Sequence, residues 1–502
     1  MPPARRRVLV LGLDGGTFDL LDPLMRAGTL PFLRSLAERG LRAPLASVYP
    51  PKTIPAWYSF ATGLDPGSLG IFGFTEPDGG PGKSRIVQSF RPAEAVWDHL
   101  SRRGVPVGVL NFPLRAAYPI HGFVVPGMLS DEPPTYPATL RASLEGSLGE
   151  PLLPELPAYR QTDRKRWMSL ATRGVEQRSR SAEILCQEYK PDFLFVLFRE
   201  TDRIQHQHWA ELSGTAAAVG ADLVEFWTGV DAACARIDRA FRAAGGPAVT
   251  LVISDHGHGP AKADFFTNRW LAQEGFLVFK NGGPGGRRRF VSRLLLGSER
   301  FWPTRRLVRF LADRLRGRSR RERITKFLAG EASFESMADR IDWDRTTAFS
   351  YPVPEGIYLN RYNPSLTAAK KTEVVREIRR RLEAYRSATI EVYEPSEIYE
   401  GTQLEQAPAL LLKIDDLSTE PRMDFSYPEP MLRERPGYFY GSGVHRMNGI
   451  LIASGEGVGR HAESDPRSIL DVAPTILETM DVPVPPGMHG RSFAPLLDGA
   501  PA

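Results

Sequence analysis

Apolar residues along the chain follow two alternating rhythms. One is a set of short runs that are apolar at almost every position. These are VLVLGL (8–13), VPVGVLNFP (105–113), DFLFVLF (192–198), AVTLVIS (248–254), GIYLN (356–360), APALLLKI (407–414) and NGILIASG (448–455), and they read as strands. Between them lie segments with apolar residues about every 3.6 positions. LPFLRSLAERG (30–40), AVWDHLSRRG (95–104), SAEILCQEY (181–189), VDAACARIDRAFRAAGG (230–246) and TAAKKTEVVREIRRRLEAY (367–385) read as helices. Alternating strands and helices predict βαβ units and a mostly parallel sheet. Strands apolar along their whole length predict helices on both faces of that sheet. The expected fold class is therefore α/β, a mostly parallel central sheet sandwiched by helices. A last helix over 468–480 carries Pro474 inside it and is expected to kink there.

This rhythm breaks after FFTNRWLAQEGFLVF (265–279). KNGGPGGRRR (280–289) reads as a linker, and a basic stretch follows. From Arg287 to Lys326, fourteen arginines and one lysine face three acidic residues, a net +12. The whole chain carries +5, so the rest of it is acidic, at −7. The expected organisation is one α/β core spanning 1–502 with a basic helical cap or insertion at 281–345. The plainest role for that stretch is a cap packed on the core with its arginines in water. Contact of 287–326 with an anionic membrane surface, and steering of a polyanionic substrate, are the alternatives. Nucleic acid is not an expected partner.

The remaining totals exclude more than they select. The chain has 502 residues, 42% hydrophobic and 25% charged, as in an ordinary soluble globular protein. Two cysteines, Cys186 and Cys234, cannot staple a chain of this length and read as small buried hydrophobes. Arginines precede the apolar run Val8–Leu13, but that run is too short for a signal sequence and no small-residue cleavage site follows. A cytoplasmic protein is the expectation.

Ligands of an open parallel sheet bind beyond the carboxyl ends of its strands. Asp14 follows VLVLGL, Asp202 and His206 follow DFLFVLF, Asp255 and His256 follow AVTLVIS, and His445 precedes GILIASG. Asp202 and His206, four positions apart, share one face of a helical turn. Carboxylates and imidazoles without thiolates suit Zn²⁺ or Mn²⁺, with Zn²⁺ ranked first. Six such side chains exceed one tetrahedral site and suit a pair of divalent cations, an arrangement that clamps the oxygens of a phosphoryl displacement. Thr53, in PPKTIPAWYSFATG (50–63), offers a hydroxyl where a helix N-terminus would favour a phosphate oxyanion. Lys52 beside it, and Arg199 and Arg203 beside Asp202, are candidates to neutralise phosphate charge. His258 and His208 stay outside the ligand set, the first as a candidate pocket-lining residue and the second as a candidate supporting or substrate-facing one.

These residues carry a resemblance. LGLDGG (11–16), KTIPAWYSFATGLDPGSLGI (52–71), TDRIQH (201–206), SDHGHGP (254–260), GVH (443–445) and DVAPTILETMDVPVPPGMHGRS (471–492) together resemble the alkaline phosphatase superfamily. The nearest group is the type I phosphodiesterase/nucleotide pyrophosphatases. The resemblance implies that Asp14, Thr53, Asp255 and His256 hold one cation, and that Asp202, His206 and His445 hold a second. It implies that Thr53 is the nucleophile and forms a phospho-threonine. Nucleotide pyrophosphatases carry a phosphate-contacting asparagine downstream of the nucleophile. Here IFGFTEPD (71–78) puts Phe74 near that place, with Thr75 or Lys52 as candidate replacements. The expected function is a two-metal hydrolase of a small phosphate ester, at a phosphodiester or pyrophosphate bond. The alternatives are a phosphomonoesterase or phosphotransferase at the same site, and a non-catalytic, metal-stabilised protein that binds a membrane or a partner.

Overall fold

The structure is a computed structural model that describes residues 6–80, 82–129, 132, 134–159, 163–214, 219–280, 331–332, 334–426, 431–435, 441–463 and 465–497. The basic stretch 287–326, and the expected insertion as far as residue 330, lie outside the described residues. The chain forms two compact units. One is built from Met1–Ile71, Gln88–Pro260 and Gly437–Ala502, the other from Phe72–Val87 and Ala261–Pro436.

The first unit is organised around a nine-stranded sheet. Its main path runs Leu41–Ala46, Asn448–Gly455, Ala248–Ile253, Arg7–Leu13, Phe193–Phe198, Val107–Pro113, Gly122–Gly127, and short strands at His461–Ala462 and Arg467–Ser468 flank Leu41–Ala46. From Ala248–Ile253 to Gly122–Gly127 all neighbours are parallel. Asn448–Gly455 runs antiparallel to both its neighbours. Residues Arg7–Leu13, Phe193–Phe198 and Ala248–Ile253 are buried at every position. A strand covered on both faces needs no polar alternation, which is why these segments read as unbroken apolar runs. Parallel strands need helical crossovers, and two long ones, Arg164–Tyr189 and Ala221–Ala243, pack on each other and bury Trp167, Ala171, Val175, Phe226, Val230 and Ile237 in one core. Cys186 and Cys234 are buried in these helices, and burial pushes both thiols up, as befits inert apolar packing.

Two local expectations change. The helix anticipated at 181–189 is the last third of one that begins at Arg164. Its earlier turns bury Gly174, Gln177 and Ser179, so small and polar residues hide the apolar period. The final helix begins later than expected. A 3-10 turn at Ile469–Asp471 precedes the α-helix Val472–Thr479, so Pro474 stands in the first turn. Its missing N–H is no loss there and no kink is required.

The second unit has a four-stranded antiparallel sheet in the order Ala348–Phe349, Gly356–Leu359, Leu410–Ile414, Ile390–Tyr393. The helix Ala368–Glu383 buries Ile378 and Leu382 in the core of this unit, with Trp270, Ile357, Leu410 and Leu412. Among the described residues no helix is long and apolar enough to cross a membrane.

Candidate metal centre

Every residue of the centre belongs to the first unit. Asp14 directly follows the strand Arg7–Leu13, opening the turn with Gly15, and is fully buried. Asp202 and His206 stand one turn apart on the helix Glu200–Leu212, which begins two residues after Phe193–Phe198. Asp255 and His256 follow Ala248–Ile253. The next residues do not form a loose loop. Gly257–Pro260 pairs antiparallel with Gly443–Arg446, and the register sets His258 opposite His445.

The four imidazoles are tethered alike. Nδ1 lies 3.0 Å from Gly443 O in His206, 3.1 Å from Gly257 O in His256, 3.3 Å from Gly15 O in His258 and 2.6 Å from Pro51 O in His445. A carbonyl oxygen only accepts, so each Nδ1 carries the hydrogen and donates it. In a neutral ring Nε2 is then a bare lone pair. His206 Nε2 and His445 Nε2 are 2.9 Å apart, and each is 3.3 Å from Asp202 Oδ1. His258 Nε2 is 3.6 Å from that same oxygen. His256 Nε2 lies 3.2 Å from Asp255 Oδ2 and 3.9 Å from Asp14 Oδ1.

Lone pairs facing carboxylate oxygens repel unless a cation stands between them. Asp14 Oδ1, Asp202 Oδ1, Asp255 Oδ2 and the Nε2 atoms of His256 and His258 are all buried without a hydrogen-bond partner. Orphaned buried acceptors of this kind are costly. Two groups could each hold an ion, Asp202/His206/His258/His445 and Asp14/Asp202/His256. Tetrahedral coordination with bonds of roughly 2.0–2.1 Å spaces its donors by about 3.3 Å, close to the spacing around Asp202 Oδ1. The residues present therefore fit divalent cations of the Zn²⁺ or Mn²⁺ kind.

Electrostatics agree. Burial, with Asp255 and Asp202 nearby, pushes the Asp14 carboxyl well above its ordinary range. Burial and the charge of Asp202 do the same to Asp255. Burial also works upward on Asp202; charge on the rings of His206, His445 and His258 would outweigh it and hold this carboxyl well below the ordinary range, and with neutral rings a bound cation would play that part. Burial pushes His256 and His258 down, toward the neutral form that ligates.

Thr53 opens the helix Thr53–Thr62, every residue of which is buried. The segment is fastened on both sides of it. Pro51 O accepts from His445, and Trp57 Nε1 donates to Asp14 Oδ2 at 3.3 Å. Lys52, at the cap position, has no acceptor to offer the first backbone N–H groups. A helix start left in this state favours an anion.

The family described as type I phosphodiesterase / nucleotide pyrophosphatase matches residues 8–439. The chain belongs to that family. No curated protein matches the sequence. Among solved structures, the phosphonoacetate hydrolase of Sinorhizobium meliloti 1021, in complex with phosphonoformate, is similar with a TM-score of 0.50 at 16% identity. That alignment covers 95% of this chain and 96% of the other. A variant of the alkaline phosphatase PafA aligns with a TM-score of 0.54 at 13% identity, over 98% of this chain and 99% of the other. At such identities the likeness is one of fold. Membership of that family makes the chain a phosphoryl-transfer hydrolase.

Within this phosphodiesterase-family fold, Asp14, Asp202, His206, Asp255, His256 and His445 come together, and His258 joins them. The sequence signal for His258 was weak, because its partner in register, His445, lies far along the chain. Arg199 is turned inward. Its Nη1 donates to Glu155 Oε2 at 2.7 Å, and its Nε lies 3.6 Å from Asp14 Oδ2. Trp57 and Arg199 thus hold one oxygen of Asp14 while the other faces His256. Arg203 is directed to Pro157 O at 3.3 Å. Lys52 is half-buried at the helix start. Phe74 and Thr75 belong to the second unit, where Thr75 Oγ1 donates to Pro352 O at 3.2 Å and Phe74 is 38% exposed. His208 stands outside both groups, with Nδ1 3.0 Å from Glu211 Oε1 and its ring against Tyr159.

Proposed function

We propose that the protein hydrolyses a phosphodiester or pyrophosphate bond of a small molecule at a pair of divalent cations, with Thr53 as nucleophile. The observation that carries this reading is the convergence of four tethered imidazoles and three carboxylates beside a buried helix start that bears a hydroxyl. Asp14, Asp255 and His256, with Thr53, would hold one cation. Asp202, His206 and His445 would hold the other. Bound there, the cations would supply Lewis acidity, lowering the pKa of a hydroxyl and of water and offsetting charge on the phosphoryl oxygens.

The chain's own residues then act as follows. Thr53 Oγ1 attacks phosphorus in line, its bond to phosphorus forming as the bond to the leaving oxygen breaks. Backbone N–H groups at the start of Thr53–Thr62 face the phosphoryl oxygens. Water next attacks phosphorus from the side the leaving group vacated, and the Thr53 ester breaks to restore the hydroxyl. The proton lost by Thr53 ends on the leaving group, and the proton lost by water restores Thr53. The Nδ1 tethers keep every imidazole from turning during both steps.

The test is Thr53→Ala in the purified, metal-loaded protein, assayed on bis(p-nitrophenyl) phosphate and p-nitrophenyl phosphate. Turnover should fall by at least about a thousandfold, with folding and metal content retained. Rapid acid quench of the wild type during turnover of bis(p-nitrophenyl) phosphate should trap a p-nitrophenyl phosphoryl group on Thr53. Diester should be preferred to monoester, and the reverse ratio would make the protein a monoesterase. Undiminished turnover by Thr53→Ala would remove that residue from the mechanism.

A further inference from the structure

The two ligand sets of the proposed function leave His258 unused, although it is the most completely enclosed imidazole beside Asp202 and lies within ligand reach of the same point. We propose that His258 is a fourth protein ligand of the cation at Asp202, through Nε2, which makes that site a three-histidine, one-aspartate centre. The proposal rests on the metal reading of the site and extends it.

His258 is 0% exposed and its Nε2 has no hydrogen-bond partner. Nε2 is 3.6 Å from Asp202 Oδ1, too long for a hydrogen bond and near the donor spacing of a shared ion. The tautomer argues the same way. For His258 to donate from Nε2 to Asp202, a neutral ring would need a bare Nδ1, and that lone pair would face Gly15 O at 3.3 Å. Donation from Nδ1 to Gly15 O removes this conflict and turns the Nε2 lone pair to the cluster, as in His206 and His445. The ribbon of Gly257–Pro260 with Gly443–Arg446 fixes the placement, setting the ring centres of His258 and His445 5.1 Å apart and those of His258 and His206 4.7 Å apart.

The consequence is a chemical difference between the two cations. The one at Asp202 gains a nitrogen-rich set, which favours Zn²⁺ or Co²⁺. The one at Asp14, Asp255 and His256 has an oxygen-rich set, which tolerates Mn²⁺. Four protein donors leave room for a substrate oxygen only by expansion to five-coordination, which zinc allows.

The experiment is proton NMR of the full-length protein loaded with Co²⁺, in water. Each ligating imidazole should give one exchangeable, hyperfine-shifted Nδ1–H signal, here from His206, His256, His258 and His445. His258→Gln should delete one signal and shift those of His206 and His445. In chelator competition it should weaken retention of one cation at least about tenfold and leave the other unchanged. A wild-type spectrum with signals from only three imidazoles, or a variant with unchanged shifts and retention, would overturn the proposal. Should the variant not fold, the wild-type signals decide alone. If the wild type binds no cation at all, the underlying metal reading fails as well, which is a distinguishable result.

Discussion

Gly15 shows how narrowly single residues control this centre. It adopts φ +69°, and a Cβ there would lie 2.5 Å from His258 Nδ1. Gly15→Ala should cost about 1–3 kcal/mol, from left-handed strain plus the collision with an imidazole. Thermal unfolding and metal analysis should both register it, and unchanged values would mean the turn relaxes freely. Arg199 makes a second case. Burial works to lower its pKa, but Glu155 and Asp14 more than compensate, so it stays charged. Arg199→Met strands Glu155 and releases one oxygen of Asp14, and should destabilise the protein by about 3 kcal/mol in urea titration. That Asp14, Asp202, Asp255 and His256 lie near one another was legible because each stands within a few residues of a strand end, a local feature. The inward turn of Arg199 was not, since an arginine beside a loop is as easily solvated as buried.

At the scale of elements, Arg164 clasps three helices. From the start of Arg164–Tyr189 it donates to Glu211, near the end of Glu200–Leu212, at 2.7 and 2.9 Å. It also donates to Asp222, in the first turn of Ala221–Ala243, at 2.8 and 3.0 Å. Hydrogen bonding from Arg164 holds the Asp222 carboxyl below its ordinary range. In Glu211 burial works upward, and the bonds from Arg164 and His208 outweigh it. Carboxyls depressed in this way add stability above their unfolded pKa of about 4, and the contribution disappears as pH falls. All three side chains are roughly a third exposed, so solvent screening limits the clasp to about 1 kcal/mol. The stability gap between wild type and Arg164→Ala should therefore be about 1 kcal/mol near neutral pH and should narrow below about pH 4. A gap that is constant or grows with acid would contradict the clasp. Five strands of the nine-stranded sheet could be read to within about two residues, because burial at nearly every position leaves a strong apolar signal, whereas Leu41–Ala46, buried only at alternate positions, and Gly122–Gly127 were not read. The first two-thirds of Arg164–Tyr189 could not, because that helix buries glycine, serine and glutamine against its neighbour.

At the scale of the whole molecule, the centre gathers residues from five stretches, around Asp14, Thr53, Asp202, Asp255 and His445. Cations bound there would link segments that are otherwise distant in the chain. Their removal by a chelator should lower the melting temperature, corresponding to about 4 kcal/mol if the free metal stood at a thousand times its dissociation constant. Zn²⁺ should restore both stability and turnover. A melting temperature insensitive to chelation would show that the fold holds the centre without metal. From the sequence alone follow the α/β alternation, the order of the strand ends and the chemical identity of most donors, since each is written within a few consecutive residues. The tertiary structure alone decides that His258 stands opposite His445, that every Nδ1 meets a backbone carbonyl, and which oxygen of Asp14 faces His256. Those facts depend on pairing register and on the positions of carbonyl groups from remote segments, and no local pattern of side chains encodes either.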